Sequence, residues 1–188
     1  MKYNLKNRLI LFAGLLTIIG GILWIIKAAS ILLTQNQPPL MYELGQALFA
    51  LGVLGLYARL PNPNRLAMVG AVVAGTGLIA RLGASWYEYS PGAVISGSED
   101  FVFPFSLFVL LASLGPFVGL FLVSLPIYSD KTLSTRWRAI PLYTLLSFIP
   151  IAFTGAIHIE IPILLVGVGW MVIGYFLWKD KPNEWQDA

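Results

Sequence analysis

Long apolar stretches alternate with short polar breaks along the whole chain, at intervals that fit membrane-spanning helices. A bilayer core of about 30 Å takes roughly 20 apolar residues at about 1.5 Å of rise each. Six stretches approach or exceed that length, at about 9–34, 40–60, 65–87, 102–125, 138–155 and 159–178. The breaks between them carry turn chemistry, such as QNQPP, PNPN, SPG and SDKTLST, in which Pro, Gly, Asn and Ser stop a helix. Only AIHIEIP separates the fifth stretch from the sixth, so that boundary is the least sharply drawn. The pattern predicts an all-α polytopic membrane protein, residues 1–188 forming a single bundle of six transmembrane helices.

Charge placement gives this bundle a direction. Lys2, Lys6, Arg8, Arg59, Arg65, Lys131, Arg136, Arg138, Lys179 and Lys181 all fall on one face of the alternating spans, and the three opposite loops carry no Lys or Arg. Basic residues in short loops stay on the cytoplasmic side, so both termini are expected there, N-in and C-in. Trp86, Tyr87 and Tyr89 would then form the outer aromatic belt, and Tyr128, Trp137, Trp178 and Trp185 the inner one. A basic start, an apolar run and the small residues Ala28 to Ser30 also fit a cleaved signal peptide. The run is longer than a typical signal core of about 7–15 residues, and Lys27 interrupts the approach to the cleavage site, so a first membrane span is the preferred reading.

Composition removes other classes. The chain is 57% hydrophobic and 11% charged, with a mean hydropathy of +0.78, against a charged fraction of about 25% in soluble domains. With no Cys it is not a disulfide-stapled secreted domain, and its net charge of +3 is mostly a topology signal rather than a nucleic-acid footprint.

Small residues mark expected contacts between helices. Ala67, Ala71 and Gly75 recur at intervals of four in the third span, and Gly115 and Gly119 form a GxxxG in the fourth. Such stripes serve packing within one chain or self-association. Ser113-Leu-Gly-Pro116 and Ser147-Phe-Ile-Pro150 share another device, a proline that removes a helical hydrogen bond with a serine one turn before it. Bends are expected at Pro116 and Pro150, as static shape in preference to hinges. A faint repeat relates Glu43 and Glu160, each nine residues before a glycine (Gly52, Gly169), and Lys27 and Arg81, each six after one (Gly21, Gly75). This is compatible with a duplicated helical hairpin.

Ionisable residues inside spans are costly, so those that topology does not explain are candidates for function. They are Lys27, Glu43, Arg81, Glu88, His158 and Glu160, all toward the outer helix ends. Gly77, Arg81, Ser85 and Glu88 make one helical stripe, and Glu43 shares a face with Gln46. Arg81 is expected to reach Glu88 only indirectly and to find its partner on another helix. The expected arrangement pairs Lys27 and Arg81 with Glu43 and Glu160 around a pocket open to the outside, since mutual neutralisation is the least costly way to hold charges at that depth. The bland alternative has these groups snorkelling to the interface or bracing four helices without a ligand. His158, beside a helix boundary, reads more simply as structural than as a ligand. Pro162 suits the first turn of the last helix.

Deeper in the membrane only hydroxyls remain, Thr17, Thr76, Ser113, Thr144 and Ser147, which counts against a proton pump or charge-lined channel. One His and no Cys leave no zinc motif or thiol chemistry, Ser98 in SGSED reads as a solvated turn, and no nucleotide-binding glycine motif occurs. Lys27 is too near the surface for a retinal Schiff base. No catalytic residue, metal or cofactor is therefore expected, and the reading leans away from an enzyme. Two functions stay open. In one, the charged layer binds or carries a small polar or amphipathic ligand, a small molecule or a lipid, for uptake, export or sensing. In the other, the chain is a non-catalytic accessory or assembly subunit of a larger membrane complex, or a homo-oligomer, with lipid-facing helices as its interaction surface. The layout resembles that of small bacterial multi-pass proteins, so the bacterial cytoplasmic membrane is the expected location.

Overall fold

A computed structural model describes residues 5–35, 38, 40–89, 104–131, 133, 135–146 and 160–179. These form six helices: α1 (Leu5–Thr34), α2 (Met41–Arg59), α3 (Arg65–Tyr89), α4 (Phe105–Ser129), α5 (Thr135–Leu146) and α6 (Glu160–Lys179). All but α5 are long and apolar enough to cross a membrane. α5 has 12 residues, and Ser147 and Pro150 of the expected fifth span, like His158 beyond it, lie outside the described residues.

Local chemistry sets the ends. Gln35 closes α1 in the left-handed conformation (φ 57°), its N–H donating to the Ile31 carbonyl over 2.9 Å. Asn64 caps α3 by accepting the Ala67 N–H on Oδ1 at 2.9 Å, which is what the PNPN break supplies. α4 runs through both Pro116 and Pro126 and stops at Ser129, four residues beyond the expected end. Proline removes one hydrogen bond without ending a helix when its neighbours hold the turn, and here the Asp130 N–H still reaches the Pro126 carbonyl at 3.0 Å.

Helices consecutive in the chain run antiparallel, so the end of α1 and the starts of α2, α4 and α6 lie at one end of the bundle. We call that end distal and the end holding Leu5 and Lys179 proximal. The most extensive contacts are α3 with α4 and α1 with α6, while α2 also meets α1, α3 and α4 and touches α6. α2 is thus the central helix, and α5 closes the ring between α4 and α6.

Glycines set these contacts. A Cβ on Gly21 would stand 2.5 Å from the Gly167 carbonyl oxygen, and one on Gly174 would stand 2.6 Å from that of Gly14, so α1 and α6 touch backbone to backbone at two sites seven residues apart on each helix. On the other side, a Cβ on Gly115 would stand 2.7 Å from Gly77 Cα, and one on Gly119 would stand 2.7 Å from the Gly70 oxygen. The GxxxG of α4 is therefore spent inside the chain. Its counterpart on α3 is Gly70, Ala74 and Gly77. Gly75 meets nothing within 4 Å, so of the expected Ala67, Ala71, Gly75 stripe the two alanines are buried and the glycine is not a contact. A strict interval of four drifts around a helix of 3.6 residues per turn, and the buried line follows alternating threes and fours.

The bundle is dressed as lipid requires. α3 buries Ala67, Ala71, Ala74, Ala80 and Ala84 while exposing Val72, Ile79 and Leu82. Large apolar groups outside and small ones at the contacts are unfavourable in water and favourable in a bilayer, where close approach rather than apolar burial drives association. Among the described residues, Lys and Arg occupy the proximal end except for Lys27 and Arg81.

Candidate functional site

Tyr42, in the first turn of α2, is the centre of the distal polar cluster. The ammonium of Lys27 lies 4.2 Å from the centroid of its ring. Trp24, one turn before Lys27 on α1, stacks against the same ring with centroids 5.1 Å apart and planes at 19°. The Trp24 indole N–H also points to the Tyr42 carbonyl at 3.4 Å. Helical spacing explains the arrangement, since positions 24 and 27 share a face and Gly45, lacking a side chain, lets the indole lie against α2. The Tyr42 hydroxyl faces Ser113 and Gln46.

Gln46 lies one turn deeper and is fully buried. Its Nε2 donates to the Ser113 hydroxyl over 3.3 Å, tying α2 to α4. Its Oε1 has no hydrogen-bond partner. The serine expected to relieve the backbone before Pro116 thus also serves as an acceptor between helices. Below Gln46 a column of rings continues: Phe49 stacks on Trp170 of α6 with centroids 4.4 Å apart and planes at 6°, and Phe117 of α4 packs against Trp24, Phe49 and Trp170. Trp170 is fully buried, and its Nε1 likewise lacks a partner.

The charged groups are placed differently from the expected layer. Arg81 is buried on α3 and pairs directly with Glu88, Nη2 to Oε2 at 3.2 Å, with Ser85 3.4 Å from Nε. The expectation of an interhelical partner is corrected. Seven residues are about two turns on nearly the same azimuth, and two long side chains leaning toward each other close a rise of roughly 10.5 Å. Lys27 feels the charge of Glu43 without an ion-pair contact and uses the Tyr42 ring as its near neighbour. Glu160 opens α6, half-buried, and forms no ion pair with Lys27 or Arg81. Lys27, Glu43, Gln46 and Arg81 are brought to one region around Tyr42, and Glu88 joins them through Arg81. His158 is not described.

Sequence reasoning passed over Tyr42 and Trp24. The available signal was spacing, with Trp24 three before Lys27 and Tyr42 four before Gln46, which sets an aromatic beside each polar candidate on the same helix face.

The deeper hydroxyls are spent locally. Thr17, Thr76 and Thr144 donate to carbonyls four residues back at 2.7, 3.0 and 3.0 Å, and Ser124 to the Phe121 carbonyl at 2.8 Å. Thr17 also fills the space beside Gly52, as Thr144 does beside Gly169, so the two glycines paired by the faint repeat each receive a threonine from the neighbouring helix.

The chain matches no protein-family profile, no curated protein and no solved structure.

Proposed function

We propose that this protein is a multi-pass membrane protein, with both termini cytoplasmic, that binds or carries a small amphipathic ligand at the distal cluster from the outer side. The bacterial cytoplasmic membrane is the proposed location. The observation that carries the reading is the carbonyl oxygen of Gln46, a fully buried acceptor without a partner, one helical turn from the Tyr42 ring on which Lys27 lies. Burying a polar group unpaired costs about 1–3 kcal/mol, so this oxygen calls for a donor, either a ligand hydroxyl or N–H or an ordered water. A ligand that supplies it would place an anionic or electron-rich group near Lys27 and an apolar body along the rings of Trp24 and Tyr42. Glu43 and Glu88 offset the two cations, which suits an amphipathic guest better than a strongly charged one.

The accessory-subunit reading is less well supported. The GxxxG face that would have offered a partner surface is occupied by α3.

The test is native mass spectrometry of the full chain extracted gently from its own membrane. A stoichiometric small mass that is lost in Gln46→Leu, with thermal stability retained, supports the reading. A protein partner, or no bound mass before and after the substitution, overturns it. Orientation is checked separately: the chain has no Cys, so a single cysteine at Thr34 should react with an impermeant thiol reagent from outside, and one at Lys6 should not.

A further inference from the structure

At the proximal end, α1 and α2 enclose an apolar groove of about 600 Å³ on the surface of the bundle. Its floor is made of small residues, with Ala13 facing Gly55, and Ala58 one turn on. Its walls are large and exposed, Leu9 at 60% and Phe12 at 58% exposure. Apolar side chains standing around a floor of Ala and Gly leave a channel that a membrane helix would otherwise fill with its own side chains. The volume falls within the range of about 300–1,000 Å³ typical of small-molecule sites.

One polar group lines the groove: Lys6, in the first turn of α1, exposed and in no ion pair with a carboxylate among the described residues. It stands where the apolar run of α1 begins, the level at which a phospholipid carries its phosphate. The partial positive charge of the α1 amino terminus is at the same end. An apolar channel leading to a cation is complementary to one molecule a bilayer offers, with a chain for the groove and an anion for its mouth. We propose that this groove is a binding site for an anionic phospholipid of the leaflet facing the termini, one acyl chain lying between α1 and α2 and the phosphate on Lys6. The site is separate from the distal cluster and does not depend on the function assigned there.

The experiment is native mass spectrometry of the full chain in micelles doped with equal amounts of phosphatidylglycerol and phosphatidylcholine of the same acyl chains. The wild type should retain at least one phosphatidylglycerol several-fold more than phosphatidylcholine. Lys6→Gln, at an exposed position that leaves the fold alone, should bring the two to parity. Ala58→Phe, which fills the groove, should lower retention of both. Its folding is checked by thermal unfolding, and a phosphatidylglycerol with a photoreactive acyl chain supplies an independent reading by labelling Leu9 and Phe12 in the wild type. Equal retention of both lipids by the wild type, an unchanged preference in Lys6→Gln, labelling confined to other helices, or a second protein chain seated on α1 and α2 would each overturn the proposal.

Discussion

Gln46 donates its amide to Ser113 across 3.3 Å, joining two helices through residues 67 positions apart in the chain, while its carbonyl oxygen stays unpartnered. Half of one side chain is thus structural, and the other half is left over for something else. Ser113→Ala should strand the amide and lower stability by about 1 kcal/mol, seen as a reduced melting temperature. Gln46→Leu combined with Ser113→Ala removes both partners and the orphan oxygen but leaves the Tyr42 hydroxyl without these two neighbours, so the pair should cost less than the sum of the single changes without being neutral. The double variant, which lacks the acceptor oxygen, should lose any ligand-induced thermal shift that the wild type shows.

Arg81 and Glu88 behave as a unit. The guanidinium is buried and the carboxylate about one-third exposed, so Glu88→Ala leaves a buried cation whose remaining hydrogen-bond partner among the described residues is Ser85. A loss of about 1–3 kcal/mol is expected. In an Arg81→Met background the same Glu88→Ala change should cost little, and a double-mutant cycle on thermal unfolding reads the difference. Additive effects would show that the contact contributes nothing.

Two glycines two residues apart on α3 make opposite predictions. Gly75 faces open space, so Gly75→Ala should stabilise by about 0.5–1 kcal/mol through helix propensity alone. Gly77 would place a Cβ 3.0 Å from Gly115 Cα and 3.1 Å from the Leu111 oxygen, neither of which moves without shifting α4. Gly77→Ala should cost about 1–3 kcal/mol by overpacking. Melting temperatures of the two variants in the same detergent decide it.

The ring column fixes how α1, α2, α4 and α6 meet. Phe49 is fully buried and touches Trp24, Phe117 and Trp170. Phe49→Ala should cost about 3 kcal/mol through the cavity it opens. Val72→Ala, at a position 62% exposed to lipid, should change stability by less than about 0.5 kcal/mol. Equal effects would mean that the column does not define the core.

What the sequence determined by itself is where helices form and which end of the bundle collects positive charge. Hydrocarbon cannot satisfy a bare backbone, so a sufficiently long apolar run becomes a helix whatever its neighbours do, and both ends of α2 and the start of α3 fall within one residue of those expected. The gathering of Lys27, Glu43, Gln46 and Arg81 toward one end was legible for the same reason, because depth along a helix is a matter of counting. Rotation about each helix axis was not. When lipid is as apolar as the core, a helix that is apolar all round gives no periodic sign of its inner face. Only the tertiary structure decided that Gly77 rather than Gly75 meets α4, that Lys27 lies over Tyr42 instead of pairing with Glu160, and that Arg81 turns along its own helix to Glu88. Each of those choices depends on azimuth and on side-chain reach, which packing between helices sets and spacing along one chain does not.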